Sequence, residues 1–195
     1  MSKYGKHIVV IAGPSGSGET TFTTELVTAY PHMVRAVSAT TRPPRGDERD
    51  GVDYYFMDKE RFFEEVQSGN IPEHTYVKSR DAHYGTYLPD LKKKLEEGKT
   101  VIVNTDLAGA RYFKHEYGAV TIFIKPKSLD VIRDRIERRD PGTKEHEVDV
   151  RMLQAMEEIV AAIGQYDYTV FNTDGEFADT ILKVVDILKN EGYDL

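Results

Sequence analysis

Short apolar runs alternate along the chain with longer segments whose apolar residues recur at helical spacing. The runs at residues 7–12, 100–105, 119–124 and 168–172 predict strands. The amphipathic segments at residues 20–29, 107–116, 128–138, 147–163 and 177–190 predict helices. Strands that alternate with helices form βαβ units, so the pattern predicts an α/β fold with a parallel sheet and helices on both faces.

The middle of the chain, residues 37–89, breaks this alternation. It is rich in Tyr, Arg, Asp and Gly and has only short extended segments, near residues 53–57 and 74–78. We interpret it as an inserted substrate-binding subdomain. A second irregular and highly charged segment, residues 138–148, is either a mobile lid or a solvated loop.

Composition excludes several functional classes. The 195 residues include no Cys, which excludes disulfides, thiolate metal sites and a cysteine nucleophile. The six His lack zinc-site spacing. A net charge of −7 argues against nucleic acid or a membrane surface as a partner. No apolar run approaches the ~18 residues of a membrane helix, so the simplest expectation is a cytoplasmic protein.

The segment GPSGSGET, residues 13–20, follows a predicted strand and opens a predicted helix. Its spacing matches the phosphate-loop pattern GxxxxGK[ST], in which backbone N–H groups converge on phosphate oxygens. The alternative is an ordinary glycine-rich turn. The hydroxyl of Thr20 is placed to ligate Mg²⁺. The candidate ATP-binding residues here are Gly13, Ser15, Gly16, Ser17, Gly18, Glu19, Thr20 and Thr21.

Glu19 occupies the position of the pattern's lysine. A carboxylate ~4 Å from a phosphate charge is repelled by about 4 kcal/mol at an effective dielectric constant of ~20. Three explanations stay open. Glu19 points away and another cation substitutes for the lysine, the chain binds nucleotide without catalysis, or the residue is an introduced or erroneous substitution.

The segment VSATTRPPRGDERDGVDYYF, residues 37–56, contains a candidate anion site. Arg42 and Arg45 are three residues apart, and planar guanidinium groups can grip a phosphate dianion in bidentate fashion. Tyr54 adds a hydroxyl donor without further charge. The alternative is a solvated charged loop.

Together, these two segments resemble guanylate kinase, whose pattern is close to GPSGxGK[ST] followed by VSxTTRxPRxGExxGxDYxF. The resemblance covers nearly the whole chain. It implies a P-loop nucleoside-monophosphate kinase fold, with a core (residues 1–36, 90–136 and 149–195), a GMP-binding subdomain (about 37–89) and a lid (about 137–148). The implied reaction is ATP + GMP giving ADP + GDP with Mg²⁺, by a monomer or homodimer.

The resemblance also implies a GMP site. Arg42, Arg45, Tyr54 and Tyr84 would hold the phosphate. The guanine would be recognised by Ser38, Glu73, Thr86 and Asp106. Residues 78–82 contain about two more residues than the family pattern, so the alignment of Glu73 depends on that insertion. Asn104 and Ala108 depart from the family pattern around Asp106, which is also placed to cap a helix.

In the lid, the resemblance assigns Arg135, Arg139 and Arg151 to the phosphates of the two nucleotides. Asn172 resembles the segment that lies along the adenine of ATP, although an ordinary loop asparagine would look the same.

Two other functions stay open from sequence. Glu19 fits a weakly active or inactive guanylate-kinase-like module that binds nucleotides or phosphopeptides. The arginine cluster would also suit a kinase of another small phosphorylated substrate.

Overall fold

A computed structural model of the chain describes residues 6–14, 16–139, 142, 144–172 and 177–195. Ser15 lies outside the described residues, and only the backbone of Arg139 is described. The strands are β1 Ile8–Ala12, β2 Met33–Arg35, β3 Ser38–Thr40, β4 Tyr55–Phe56, β5 His74–Val77, β6 Ala82–Thr86, β7 Thr100–Asn104, β8 Val120–Pro126 and β9 Tyr168–Asn172. The helices are α1 Glu19–Ala29, α2 Lys59–Gln67, α3 Leu88–Glu96, α4 Leu107–Tyr117, α5 Leu129–Arg139, α6 Glu145–Ala161 and α7 Phe177–Asn190, with a 3₁₀ turn at Lys78–Arg80.

The larger sheet has five parallel strands in the order β2-β7-β1-β8-β9. The predicted α/β fold is therefore confirmed, and the predicted strands and helices have counterparts within a few residues of their expected bounds. The three-residue strand β2 was not predicted, because so short an apolar run carries little periodicity.

Helices cover both faces of this sheet. Along β1, Ile8 and Val10 pack on the side of α3 and α4, whereas Val9 and Ile11 pack on the side of α1 and α7. All four side chains are fully buried. Because both faces are covered, the strand is a continuous apolar run without polar alternation.

The second sheet, in the order β4-β3-β6-β5, lies within residues 37–89. β6 pairs antiparallel with β3 and β5, and α2 packs on the sheet through Phe62. Buried Asp90 on α3 accepts hydrogen bonds from the backbone N of Val37 (2.9 Å) and Nζ of Lys94 (2.6 Å). This carboxylate anchors the chain where the second sheet begins. The division into core, subdomain and lid stays a prediction.

Among the residues that the structure describes, no helix is both long and apolar enough to cross a membrane.

Candidate functional site

The glycine-rich loop connects the end of β1 to the start of α1. Gly16 and Gly18 have φ angles of 84° and 88°, in the left-handed region that favours glycine. A Cβ atom on Gly18 would lie 3.0 Å from Nδ2 of Asn172. Both the backbone conformation and the close approach therefore require glycine at position 18.

Side chains from two other elements hold this loop. Nδ2 of Asn172, at the end of β9, donates to the carbonyl oxygen of Ser17 at 2.8 Å. Nη1 of Arg135, on α5, donates to the same oxygen at 2.8 Å and to that of Gly16 at 3.2 Å. Both residues were predicted to contact nucleotide, and their contacts with the loop backbone were not predicted.

The loop opens into a cavity of about 1040 Å³ at the carboxyl ends of β1 and β7. Ligand sites of open parallel α/β sheets lie at this edge. Val77 and Arg80, from the second sheet and the turn that follows it, line the same cavity. The sequence-predicted residues that line it are Gly13, Gly16, Ser17, Gly18, Glu19, Thr20, Thr21, Asp106, Arg135, Arg151 and Asn172.

Glu19 is the first residue of α1 and is among the residues that line this cavity. Burial raises the pKa of Glu19 to about 8, a hydrogen bond from Asn104 partly opposes the shift, and the charge of Glu158 adds to it. At pH 7 most of the Glu19 carboxyl is therefore neutral. The repulsion predicted from sequence assumed an ionised carboxylate, and its size stays a prediction.

Arg42 is only 7% exposed and pairs with a carboxylate of its own chain. Its Nη1 and Nη2 donate to the two carboxylate oxygens of Glu48 at 2.6 and 2.7 Å. Nη1 also donates to the carbonyl of Pro43 and Nε to the hydroxyl of Tyr84. The bidentate grip predicted for a phosphate is therefore taken by Glu48, whose pKa falls to about 2 because of Arg42.

Two tyrosines complete this cluster. The Arg42 guanidinium lies 4.9 Å from the ring centroid of Tyr54, and the Tyr54 and Tyr84 ring centroids are 5.8 Å apart. Arg45 is exposed, and its backbone N donates to Glu48 at 2.8 Å. The structure thus brings Arg42, Tyr54 and Tyr84 together, with Arg45 on the adjoining loop.

The predicted guanine-binding residues lie where the two sheets approach each other. Oε1 of Glu73 accepts from the backbone N of Thr86 at 3.1 Å and from its hydroxyl at 2.5 Å. Thr86 is in turn paired with Ser38 across β6 and β3. Burial raises the pKa of Glu73 to about 7, opposed by the Thr86 hydrogen bonds and assisted by the charge of Asp106.

Asp106 caps α4, as the alternative interpretation predicted, because its Oδ1 accepts from the backbone N of Gly109 at 3.1 Å. Its Oδ2 accepts from the hydroxyl of Thr75 on β5. Asp106 therefore connects the larger sheet to the second one.

Sequence reasoning missed three polar contacts of this region. Glu48 matches the glutamate in the GExxG part of the guanylate kinase pattern, so the sequence contained a signal for the role of this residue. No sequence signal indicated the contacts of Thr75 with Asp106 and of Thr105 with Glu73, because each contact joins residues about thirty positions apart.

A glycine loop between the first strand of a parallel sheet and the next helix, with an arginine–tyrosine cluster on an inserted sheet, defines a P-loop nucleoside-monophosphate kinase fold. The family model described as guanylate kinase matches residues 5–191. The chain belongs to the guanylate kinase family.

Individual relatives agree. The chain is 35% identical over 179 residues to guanylate kinase of Legionella pneumophila (strain Paris), which covers 91% of this chain and 84% of the relative. It is 39% identical over 168 residues to guanylate kinase of Clostridioides difficile (strain 630), and this match covers 86% of this chain and 80% of the relative. The crystal structure of guanylate kinase from Anaplasma phagocytophilum superimposes with a TM-score of 0.73 at 30% identity. The superposition covers 96% of this chain and 86% of that structure's chain. The resemblance, the fold and the enzyme class predicted from sequence are confirmed.

Proposed function

We propose that this chain transfers the terminal phosphoryl group of ATP to GMP, giving ADP and GDP. One observation carries the proposal: in a chain of this family, a glycine loop faces a cavity at the sheet edge while Arg42, Tyr54 and Tyr84 form a second cluster on the inserted sheet. These features supply separate donor and acceptor phosphate sites.

On the donor side, the glycine loop and the N-terminus of α1 bind the ATP phosphates. The exposed Thr20 and the Asp106 carboxylate line the same cavity. Hydroxyl and carboxylate oxygens suit Mg²⁺, which needs only one or two protein ligands beside substrate phosphates and water. Thr20 would hold the ion through its hydroxyl, and the ion would supply neutralisation of phosphate charge.

On the acceptor side, the hydrogen bonds that Arg42 makes within its own chain limit what its guanidinium can donate to a ligand. Four of its five N–H groups already have partners, so it offers one to a phosphate. The hydroxyls of Tyr54 and Tyr84 and the exposed side chain of Arg45 supply further donors. Glu73, Ser38, Thr86 and Asp106 recognise guanine, because a carboxylate accepts from guanine N–H groups that adenine lacks.

The transfer is a direct displacement. An oxygen of the GMP phosphate attacks the γ-phosphorus of ATP and forms a new P–O bond. The bond to the β–γ bridging oxygen breaks, and its electron pair leaves with ADP. Arg135, Arg139 and Arg151 stabilise the charge that spreads over the transferred group. Asn172 holds the glycine loop through the carbonyl of Ser17, and a contact with adenine stays a prediction.

A second candidate function is favoured by Glu19 alone. Without a lysine at this position, the chain would bind nucleotides on the same fold with little or no turnover. A cytoplasmic location and a monomeric or homodimeric state also stay predictions.

A coupled ADP assay together with calorimetry distinguishes these functions. The chain should bind GMP and Mg·ATP separately and form ADP only when both are present. GMP binding without turnover would favour the binding module, and turnover restored by Glu19→Lys would identify a damaged catalyst. A chain that does not bind GMP would contradict the acceptor site.

A further inference from the structure

Three arginines line the large cavity within the part of the chain that the structure describes: Arg80, Arg135 and Arg151. Arg135 donates to the backbone of the glycine loop, and Arg151 also has partners. Among the described residues no carboxylate forms an ion pair with Arg80, which is exposed. The family pattern assigns a role to the other two arginines and none to Arg80.

Arg80 lies in the segment where this chain departs in length from the family pattern. The 3₁₀ turn Lys78–Arg80 joins β5 to β6, within the interval of residues 78–82 that holds about two extra residues. The same chain lacks the phosphate-loop lysine. It therefore has one cation fewer on the loop, while Arg80, from the segment of different length, is among the residues that line the cavity.

The turn that carries Arg80 is held in a defined conformation. Asp81 ends the turn with a φ angle of 46°, and among the described non-glycine residues no other has a positive φ. The hydroxyl of Tyr76 donates to Oδ1 of Asp81 at 2.6 Å, and the backbone N of Asp81 donates to the carbonyl of Lys78 at 3.3 Å. Left-handed backbone at a non-glycine residue costs on the order of 1–3 kcal/mol and persists where surrounding contacts determine it.

Arg80 also contacts the acceptor cluster. Its guanidinium carbon lies 5.7 Å from the ring centroid of Tyr84, within the range of a cation–π interaction. The hydroxyl of the same tyrosine accepts from Nε of Arg42 at 3.1 Å. Arg80 therefore touches the acceptor cluster and lines the donor cavity, which places it beside the path between the two phosphate sites.

We propose that Arg80 is a catalytic residue that contacts the phosphoryl group in transit and supplies the positive charge that Glu19 does not. The proposal rests on the proposed phosphotransfer. Charge spreads over three equatorial oxygens in such a transfer, and a planar guanidinium can donate to two of them at once.

A double-mutant cycle tests the proposal, because two cations that serve one purpose must not act independently. Arg80→Ala should lower kcat ~100-fold, in the range found when one transition-state donor is removed, while KM for GMP changes little. Arg80→Lys should recover part of the loss. Lys78→Ala, at the other end of the same turn, should leave kcat unchanged.

The decisive comparison uses Glu19→Lys. In that background Arg80→Ala should lower kcat less than ~10-fold, because the restored lysine supplies the charge. An equal loss in both backgrounds would show that Arg80 acts independently of position 19. An unchanged kcat in Arg80→Ala would overturn the proposal directly. A changed Tm in this variant would attribute its lower kcat to impaired folding and would also count against the proposal.

Failure of the proposed function gives a different result. If the unaltered chain binds both nucleotides but shows no turnover, the phosphotransfer proposal fails. The affinity for Mg·ATP, measured by calorimetry, then decides the role of Arg80. An affinity equal in the unaltered chain and in Arg80→Ala would refute any contact with the donor phosphates.

Discussion

Two carboxylates of the candidate site, Glu48 and Glu19, have pKa values shifted in opposite directions. Glu48 faces the guanidinium of Arg42, which favours its ionised form and lowers its pKa to about 2. Burial of Glu19 disfavours the ionised form and raises its pKa to about 8. The two residues should therefore affect stability in different pH ranges and with opposite sign.

Glu48→Gln should destabilise the chain at neutral pH, and this loss of stability should become progressively smaller as the pH falls. Since the folded-state pKa is depressed, the unfolded chain binds more protons between about pH 4.5 and 2, and the contribution of Glu48 is lost as pH falls through that window. We expect a loss of about 1 kcal/mol at pH 7, or ~2–4 °C in Tm. Thermal denaturation from pH 7 to 2.5 measures it. Asp47→Asn, at the exposed neighbouring residue, serves as the control, and a Tm difference independent of pH would refute the ion pair.

Glu19→Gln should stabilise the chain more at pH 8.5 than at pH 4.5. Because the folded-state pKa is raised, the folded chain between about pH 4.5 and 8 holds a proton that the unfolded chain has lost, so the stability of the chain with Glu19 falls as pH rises through this window. The Tm advantage of the variant should grow by ~2–4 °C across the window, equivalent to about 1 kcal/mol. The measurement is made without nucleotide or divalent ions. Glu25→Gln, on the exposed face of α1, should show no such trend.

At the scale of elements, β5 and β6 approach each other closely at Gly85. A Cβ atom there would lie 2.5 Å from Cγ2 of Ile71 and 2.6 Å from the carbonyl oxygen of Glu73. The second contact is with backbone, which cannot rotate away. The glycine therefore sets the separation of these strands next to the predicted guanine-binding carboxylate.

Gly85→Ala should displace β5 and move Glu73 away from Thr86. We expect a stability loss of about 1–3 kcal/mol, typical of overpacking, and at least ~10-fold weaker binding of GMP. Calorimetry should show unchanged affinity for Mg·ATP, since the glycine loop belongs to the other sheet. Normal GMP affinity in this variant would argue against the assignment of Glu73.

At the scale of the whole molecule, the two sheets are connected through polar side chains. Asp90 binds the backbone of Val37, and Asp106 accepts from Thr75. A ligand that binds only the folded chain stabilises it by mass action, whichever sheet supplies the contacts.

GMP alone should raise the Tm of the unaltered chain. At a concentration of ~100 times its Kd it adds about 2.7 kcal/mol. Tyr54→Phe keeps the aromatic ring but removes the phosphate-binding hydroxyl, so at the same GMP concentration its Tm shift should fall by more than half. Tyr30→Phe, at the partly buried residue that follows α1, should retain the full shift. Equal shifts in all three proteins would exclude Tyr54 from the acceptor site.

The elements with strong local signals were predictable. Three features can each be recognised from a stretch of at most twenty residues: the apolar run of β1, the glycines after it and the arginine-rich segment before Tyr54. The pairing of Arg42 with Glu48 was also local, six residues apart, but the sequence does not tell whether a carboxylate or a phosphate takes the guanidinium. That choice depends on how Pro43, Tyr84 and the loop orient Arg42.

The sequence by itself determined the α/β fold and the family, and it predicted part of the polar residues of the candidate site, because periodicity and motif spacing are local properties of the chain. Only the tertiary structure decided that Glu19 faces the cavity in a buried environment, that Asn172 and Arg135 hold the glycine loop, and that Arg80 reaches Tyr84. Burial, and contacts between residues distant in sequence, arise when the sheets and helices pack, and they set both protonation and the direction of each donor.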